Sequence, residues 1–371
     1  MNQKCERVAW IFDVLAVLLL DEVNRGQTAL PTSRVERTLQ ALQRMSAEEW
    51  KQLLQFAGLQ RARLRTLLAL EHWNQSGVIR SDAQRFGDLR GAEERKNLLA
   101  MSTLQMVVAA LELTGHSPIV IKTLDHWPDI GSDLDLFVSA NEADTIRIMQ
   151  GEMNAEVEKQ SWGDRLAHKW NFRVPGLEQL VEVHVGRLGQ TGEHCVLSTH
   201  LERTSAIRET GPYQFRVPAP EEQVILATLQ RMYRHFYIRL TDVLNLSSLV
   251  RESRLDFARL RQAAIRFAIW PGVATLLRIA SDYNEHAGFG ALPLPGFVFD
   301  EACFGANVLY MGEQFLRVPM MPQGAQLFLR QFVGTGTNLD FQALARLSLF
   351  PLLAGAAFLN LRLTGNDKGI W

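Results

Sequence analysis

Residues 119–138 read IVIKTLDHWPDIGSDLDLFV, and at their centre stands Asp133-Leu134-Asp135. Side chains alternate faces along a strand, so Asp133 and Asp135 project together while Leu134, Leu136 and Val138 point into a core. Two adjacent carboxylates repel each other and are costly to desolvate. A divalent cation removes that cost, and Mg²⁺ prefers carboxylate oxygens together with substrate phosphates. Pro118 to Ile121 reads as a short buried strand, Lys122 and Thr123 follow it, and Asp125 to Ser132 is a polar turn holding Pro128 and Gly131. The layout is a strand, a turn with a cation and hydroxyls, then a strand carrying Asp-x-Asp. Asp125, His126 and Asp129 lie in that turn, where they either contact a ligand or solvate the loop.

Downstream, Gln179 to Val185 alternates again, with Val181, Val183 and Val185 on one face and Leu180, Glu182 and His184 on the other. His168 to Val174 alternates too, and Pro175-Gly176 makes the turn of a hairpin between the two runs. Glu182 is then the third carboxylate of a site, or else part of the exposed polar face of an edge hairpin. Convergent carboxylates mark sites better than single ones do. Ala140 to Met149 predicts a helix, and Asn154 to Lys159 a further strand.

The pattern predicts an α/β (α+β) fold: a small mixed sheet within residues 99–210, flanked by helical regions at 1–98 and 211–371. Trp10 to Val23 predicts a helix, Ser46 to Glu49 a capping box, and Glu93 to Leu113 a long helix ahead of the first strand. Ser81 to Gly91 reads as a polar connection. Pro220 opens one long helix through Leu249, kinked or broken on the way. His235, Arg239 and Asp242 would share one face of it at i, i+4 and i+7. That face either turns toward a ligand or is a salt-bridged packing surface. Asp256 to Ile269 is a helix closed by Trp270-Pro271-Gly272, and the apolar tail from Phe341 to Leu363 has a helical period.

With 371 residues and a net charge of −1, the chain lacks the basic excess expected of a nucleic-acid enzyme. Cys5, Cys195 and Cys303 show no ligand spacing and fit reduced thiols in a cytoplasmic protein. Val14 to Leu20 is flanked by Asp13, Asp21 and Glu22, so it reads as a buried helix and not as a secretion signal. Leu347 to Leu361, bracketed by Arg346 and Arg362, spans ~15 residues, short of the ~20 that a membrane span needs.

The strand, loop and Asp-x-Asp strand resemble the signature of the polymerase-β-type nucleotidyltransferase superfamily, in which a strand ends in Gly-Ser before the loop. Within it, the stretch is most similar to a bacterial group of largely uncharacterised nucleotidyltransferases with Leu-Lys-Gly before the loop and an Asp-x-His strand after it. Lys122-Thr123 stands where the glycine is expected, and Glu182-Val183-His184 stands for Asp-x-His. A glycine lets backbone approach a phosphate closely, so this departure bears on nucleotide affinity. The resemblance spans residues 118 to 186 and extends more weakly to about residue 250. It implies transfer of a nucleoside monophosphate from a nucleoside triphosphate to a hydroxyl or phosphate acceptor, with release of pyrophosphate. It further implies two Mg²⁺ or Mn²⁺ ions on Asp133, Asp135 and Glu182, with Lys122, Thr123, Ser132, His184, His235 and Arg239 facing the nucleotide. The acceptor is expected to be a small molecule or a protein. Alternatives are a catalytically inactive relative that binds a nucleotide or a partner, and a protein-modifying transferase. An Asp-x-Asp glycosyltransferase would need an α/β nucleotide-binding region upstream, where this chain is helical.

Overall fold

The alternation around Asp133 becomes a five-stranded mixed sheet in the computed structural model, which describes residues 3–24, 33–75, 83–189, 191–352 and 355. Its strands are β1 (Ile119–Val120), β2 (Asp133–Val138), β3 (Glu156–Val157), β4 (Lys169–Arg173) and β5 (Leu180–Val185), in the order β1-β2-β5-β4-β3. β1 runs antiparallel to β2, and β2 runs parallel to β5 with Asp135 opposite Glu182 and Phe137 opposite His184. β4 and β5 form the hairpin expected from Pro175-Gly176, with Lys169 opposite His184. β5 therefore lies inside the sheet, between β2 and β4, and Glu182 is not on an edge.

Among the described residues, five helices precede the sheet: α1 (Gln3–Asn24), α2 (Ser33–Gln43), α3 (Ala47–Leu59), α4 (Arg63–Gln75) and α5 (Ala83–Leu113). Ser46 caps α3 in the expected capping box with Glu49. Residues 83–91 are not the predicted connection; they are the first turns of α5. Ion pairs of Arg90 with Glu71 of α4 and with Glu94 one turn on give these polar turns partners that periodicity alone does not reveal. Positions 81–82 lie outside the described residues.

α6 (Glu142–Met153) and α7 (Trp162–Leu166) intervene within the sheet. After it come α8 (Cys195–Thr204) and a hairpin of β6 (Ala206–Thr210) and β7 (Tyr213–Val217), which the sequence pattern missed. The long helix expected from Pro220 to Leu249 does not form. α9 (Pro220–Thr228) gives way to a π-helical segment, Leu229–His235, and the chain then reverses at Phe236 with φ +51°. β8 (Tyr237–Ile238) pairs with β10 (Leu316–Arg317), which also pairs with β9 (Tyr310–Met311), and α10 (Leu240–Arg251) begins afresh. Pairing with a strand some 80 residues away overrides local helix propensity here. His235, Arg239 and Asp242 thus share no helix face.

The rest is α11 (Phe257–Arg266), α12 (Trp270–Ala287), α13 (Gly296–Glu301), α14 (Ala325–Thr337) and α15 (Phe341–Leu347). Trp270-Pro271-Gly272 does not close the preceding helix, which already ends at Arg266, but opens α12, because proline is tolerated in a first helical turn. Most of the apolar tail beyond residue 352 lies outside the described residues. Among the described residues, no helix is long and apolar enough to cross a membrane.

The two faces of the sheet belong to two apolar cores. Val120, Leu134, Leu136, Val138, Val181 and Val183 pack with Leu104, Val107 and Leu111 of α5 and with Met149 of α6. On the opposite face, Ile119, Ile121 and Phe137 join a larger core built from α1, α3, α4, α9, α10 and α12. Asp135, Glu182 and His184 project from this second face. The polar groups are therefore enclosed between the sheet and the helices.

Candidate active site

The end of β1 sets the geometry. Thr123 N donates to Ile121 O at 2.7 Å, closing a tight turn around Lys122, whose φ is +63°. This left-handed conformation favours glycine and costs a larger residue on the order of 1–3 kcal/mol. The turn swings the Lys122 side chain over the sheet, and its Nζ lies 2.5 Å from Asp135 Oδ1 and 3.8 Å from Glu182 Oε1. Thr123, expected to face a nucleotide, is instead buried, and its Oγ1 accepts the N–H of Asp135 at 2.7 Å. It holds β2 in place. Thr123→Val would leave that buried N–H unpaired, so a loss of about 1–3 kcal/mol is expected in urea unfolding. Thr123→Ser, which keeps the hydroxyl, should lose far less; equal losses would show that the hydroxyl is not what matters.

Asp135, Glu182 and His184 form one buried cluster, each offering a ligand atom within 4.8 Å of the others. His184 Nε2 sits 2.9 Å from Glu182 Oε1 and 3.9 Å from Asp135 Oδ1, while its Nδ1 is buried with no hydrogen-bond partner. Lys169, arriving opposite His184 on β4, places Nζ 2.9 Å from Glu182 Oε2 and 2.8 Å from Asp164 Oδ1 on α7. Burial, aided by the charge of Glu182, pushes Asp135 up to about 7 despite Lys122. Burial acts on Glu182 too, but Lys169, the hydrogen bond from His184 and Lys122 prevail and hold it well below the usual carboxylate range. Burial takes His184 down to about 4, so its imidazole is neutral at pH 7. A neutral imidazole nitrogen beside two carboxylates is a donor set that could hold a divalent ion.

Asp133 stands outside this cluster. Ser132 Oγ donates to its Oδ2 at 2.9 Å, and Arg61 Nη2 lies 3.1 Å from Ser132 Oγ and 3.6 Å from Asp133 Oδ2. Arg61 comes from the α3–α4 junction. A β-carbon on Gly131 would strike its guanidinium at 2.6 Å, so the glycine makes room for that side chain.

Other groups of the turn are anchored to the N-terminal helices. Asp129 accepts the N–H groups of Leu64 and Arg65 at 2.6 and 3.1 Å, capping α4. Arg65 also donates to Trp127 O, and Asn97 of α5 donates to Pro128 O, both at 2.7 Å. His126 Nδ1 pairs with Asn245 Nδ2 at 2.8 Å. These contacts make Asp129 and His126 supports of the loop.

Compared with known protein families, curated proteins and solved structures, the chain matches none.

A second basic group flanks the cluster. Burial, then the neighbouring Arg231 and Arg61, bring Arg239 down to about 9. Its Nη2 donates to Tyr237 Oη at 3.1 Å, but its Nε and Nη1 are buried without hydrogen-bond partners. Arg239 also lies over the ring of Phe315, which stacks on Tyr237 with centroids 4.4 Å apart. Arg231 is fully buried with Nε 2.6 Å from Asp242 Oδ2. His235 is half-buried nearby, its pKa held well below the usual imidazole range by burial and then by the neighbouring arginines, with Nδ1 unpartnered. A groove of about 440 Å³ is lined by Arg61, Gly131, Ser132, Arg239 and Phe315. A pocket of only about 50 Å³ is lined by Lys122, His184, Gln230 and Arg234.

Lys169 was within reach of sequence reasoning, since folding the hairpin about Pro175-Gly176 puts it opposite His184. Arg61 and Arg231 carried no such signal: neither belongs to a local pattern that points at the acidic strands.

Proposed function

We propose that this chain is a metal-dependent nucleotidyltransferase that moves a nucleoside monophosphate from a nucleoside triphosphate to a hydroxyl or phosphate acceptor and releases pyrophosphate. The observation that carries this reading is the pairing of Asp135 with Glu182 on adjacent parallel strands, joined by His184, at the end of an Asp-x-Asp strand. Asp135, Glu182 and His184 are the residues to hold a divalent ion. Such an ion, when bound, neutralises phosphate charge and lowers the pKa of an acceptor hydroxyl. Arg61 and Arg239 supply guanidinium donors that orient and neutralise the phosphates of a nucleotide lying in the larger groove. The unpartnered N–H groups of Arg239 are what an anion there would satisfy. Thr123 and Asp129 position strand and loop without touching substrate.

The test is transfer of α-phosphate label from each of the four ribonucleoside triphosphates, with Mg²⁺ or Mn²⁺ and fractions of host-cell lysate. Label should reach a lysate component with the wild type and not with Asp135→Asn. The labelled fraction then tells a small molecule from a protein. A second reading, a nucleotide-binding relative without turnover, is favoured by Lys122 Nζ, which already bridges Asp135 and Glu182. Nucleotide binding with no labelled product from any triphosphate would decide for it.

A further inference from the structure

We infer that Lys122 is a built-in cation of the site, so that the centre takes a single divalent ion and the lysine ammonium fills the place of a second. The inference rests on the metal-dependent reading above. Its first support is geometry. Lys122 Nζ lies against Asp135 Oδ1 at 2.5 Å and toward Glu182 Oε1 at 3.8 Å, bridging the two carboxylates that the parallel register sets side by side. A lysine ammonium is a compact point charge, suited to a position otherwise taken by a metal ion. The tight left-handed turn at Lys122 is what aims the side chain across the sheet.

The second support is charge. Asp133, Asp135, Asp164 and Glu182 contribute four negative charges, and Lys122, Lys169 and Arg61 contribute three positive ones through direct ion pairs. The group carries −1 with His184 neutral. One divalent ion takes it to +1, and two would take it to +3. So large an uncompensated charge is unfavourable in a buried site. Without the lysine the group carries −2, and two ions then leave +2.

The third support is the donor set. His184 Nε2, with one oxygen each from Asp135 and Glu182, offers three ligand atoms to one ion, and the two carboxylates that face His184 are the ones Lys122 already pairs with. Two carboxylates suit Mn²⁺, and an imidazole among the ligands counts against Mg²⁺, which favours oxygen alone.

The test is titration of the full-length chain with Mn²⁺, following free ion by electron paramagnetic resonance, for wild type, Lys122→Met and Lys122→Gly. The glycine variant removes the charge while suiting the left-handed backbone, so it guards against a folding defect in the methionine variant. One ion per chain is expected for the wild type and two for each variant. Two ions in the wild type, or an unchanged single ion in both variants, would overturn the inference. An ion bound only after the lysine is removed would overturn the single-ion centre and leave Lys122 as the sole cation. No ion in any of the three proteins would overturn the metal-dependent reading itself, which keeps the two failures distinguishable.

Discussion

Asp135→Asn is expected to abolish tight Mn²⁺ binding and to slow α-phosphate transfer by at least about 10³-fold, the equivalent of the several kcal/mol that metal-assisted charge stabilisation supplies. The substitution keeps the shape of the side chain, and the main-chain N–H of the residue still meets Thr123 Oγ1, so β2 should stay in place. What changes is the carboxylate of the metal-ligand cluster that lies nearest Lys122. The comparison with Asp133→Asn makes the result diagnostic. Asp133 is 33% exposed at its side chain and engages Ser132 and Arg61 outside the cluster. Its loss should weaken nucleotide binding more than metal binding. Single-turnover transfer and Mn²⁺ titration, with circular dichroism as the check on folding, separate the two. A variant at Asp135 that still turns over at wild-type rate would sink the assignment; so would one in which the effects at 133 and 135 are interchanged.

Some of this site was legible in the sequence because the physics that forms it is local. The alternation of Asp133 to Val138 and of Leu180 to Val185 fixes which side chains share a face, and Pro175-Gly176 fixes the hairpin that brings Lys169 opposite His184. Lys122-Thr123 stands where the resemblance expects a glycine, and of the two it is Lys122 that takes a left-handed backbone, φ +63°. What it does there was not legible: the aim of a lysine side chain depends on a turn closed by one 2.7 Å hydrogen bond. The helical pattern from Pro220 to Leu249 misled for a different reason. Its local propensity is real, but β8 finds a partner strand in β10 and the chain bends at Phe236 to meet it. Arg61 is drawn to Ser132 from 71 positions away. Its place follows from the packing of α3 and α4 against the loop, through Asp129 and Arg65, and no window of sequence contains both ends of that contact.

Asp242 looked like one member of a helix face, but in the structure it is the counter-charge of a buried arginine. Asp242→Ala is expected to cost about 3–5 kcal/mol, the usual penalty for leaving half of a buried ion pair uncompensated. The carboxylate does two jobs. Its Oδ2 takes Arg231 Nε at 2.6 Å, and it also accepts the N–H of Arg239 at 2.7 Å, which caps α10. The cap alone is worth about 1 kcal/mol, so most of the loss must come from Arg231, whose side chain is 1% exposed. Without Asp242, Arg231 and Arg239 remain close together in the interior, each disfavouring the other's charge. Asp242→Asn keeps an acceptor for the cap and removes the charge, so it should recover only the smaller part. Arg231→Met combined with Asp242→Leu removes both charges and should be more stable than Asp242→Ala alone, because no ion is then stranded. Thermal midpoints read this directly, with a fall on the order of 10 °C for Asp242→Ala. If Asp242→Ala melts within a degree or two of the wild type, the Arg231–Asp242 pair is not what holds this part of the interior together, and the assignment of Asp242 as its counter-charge fails.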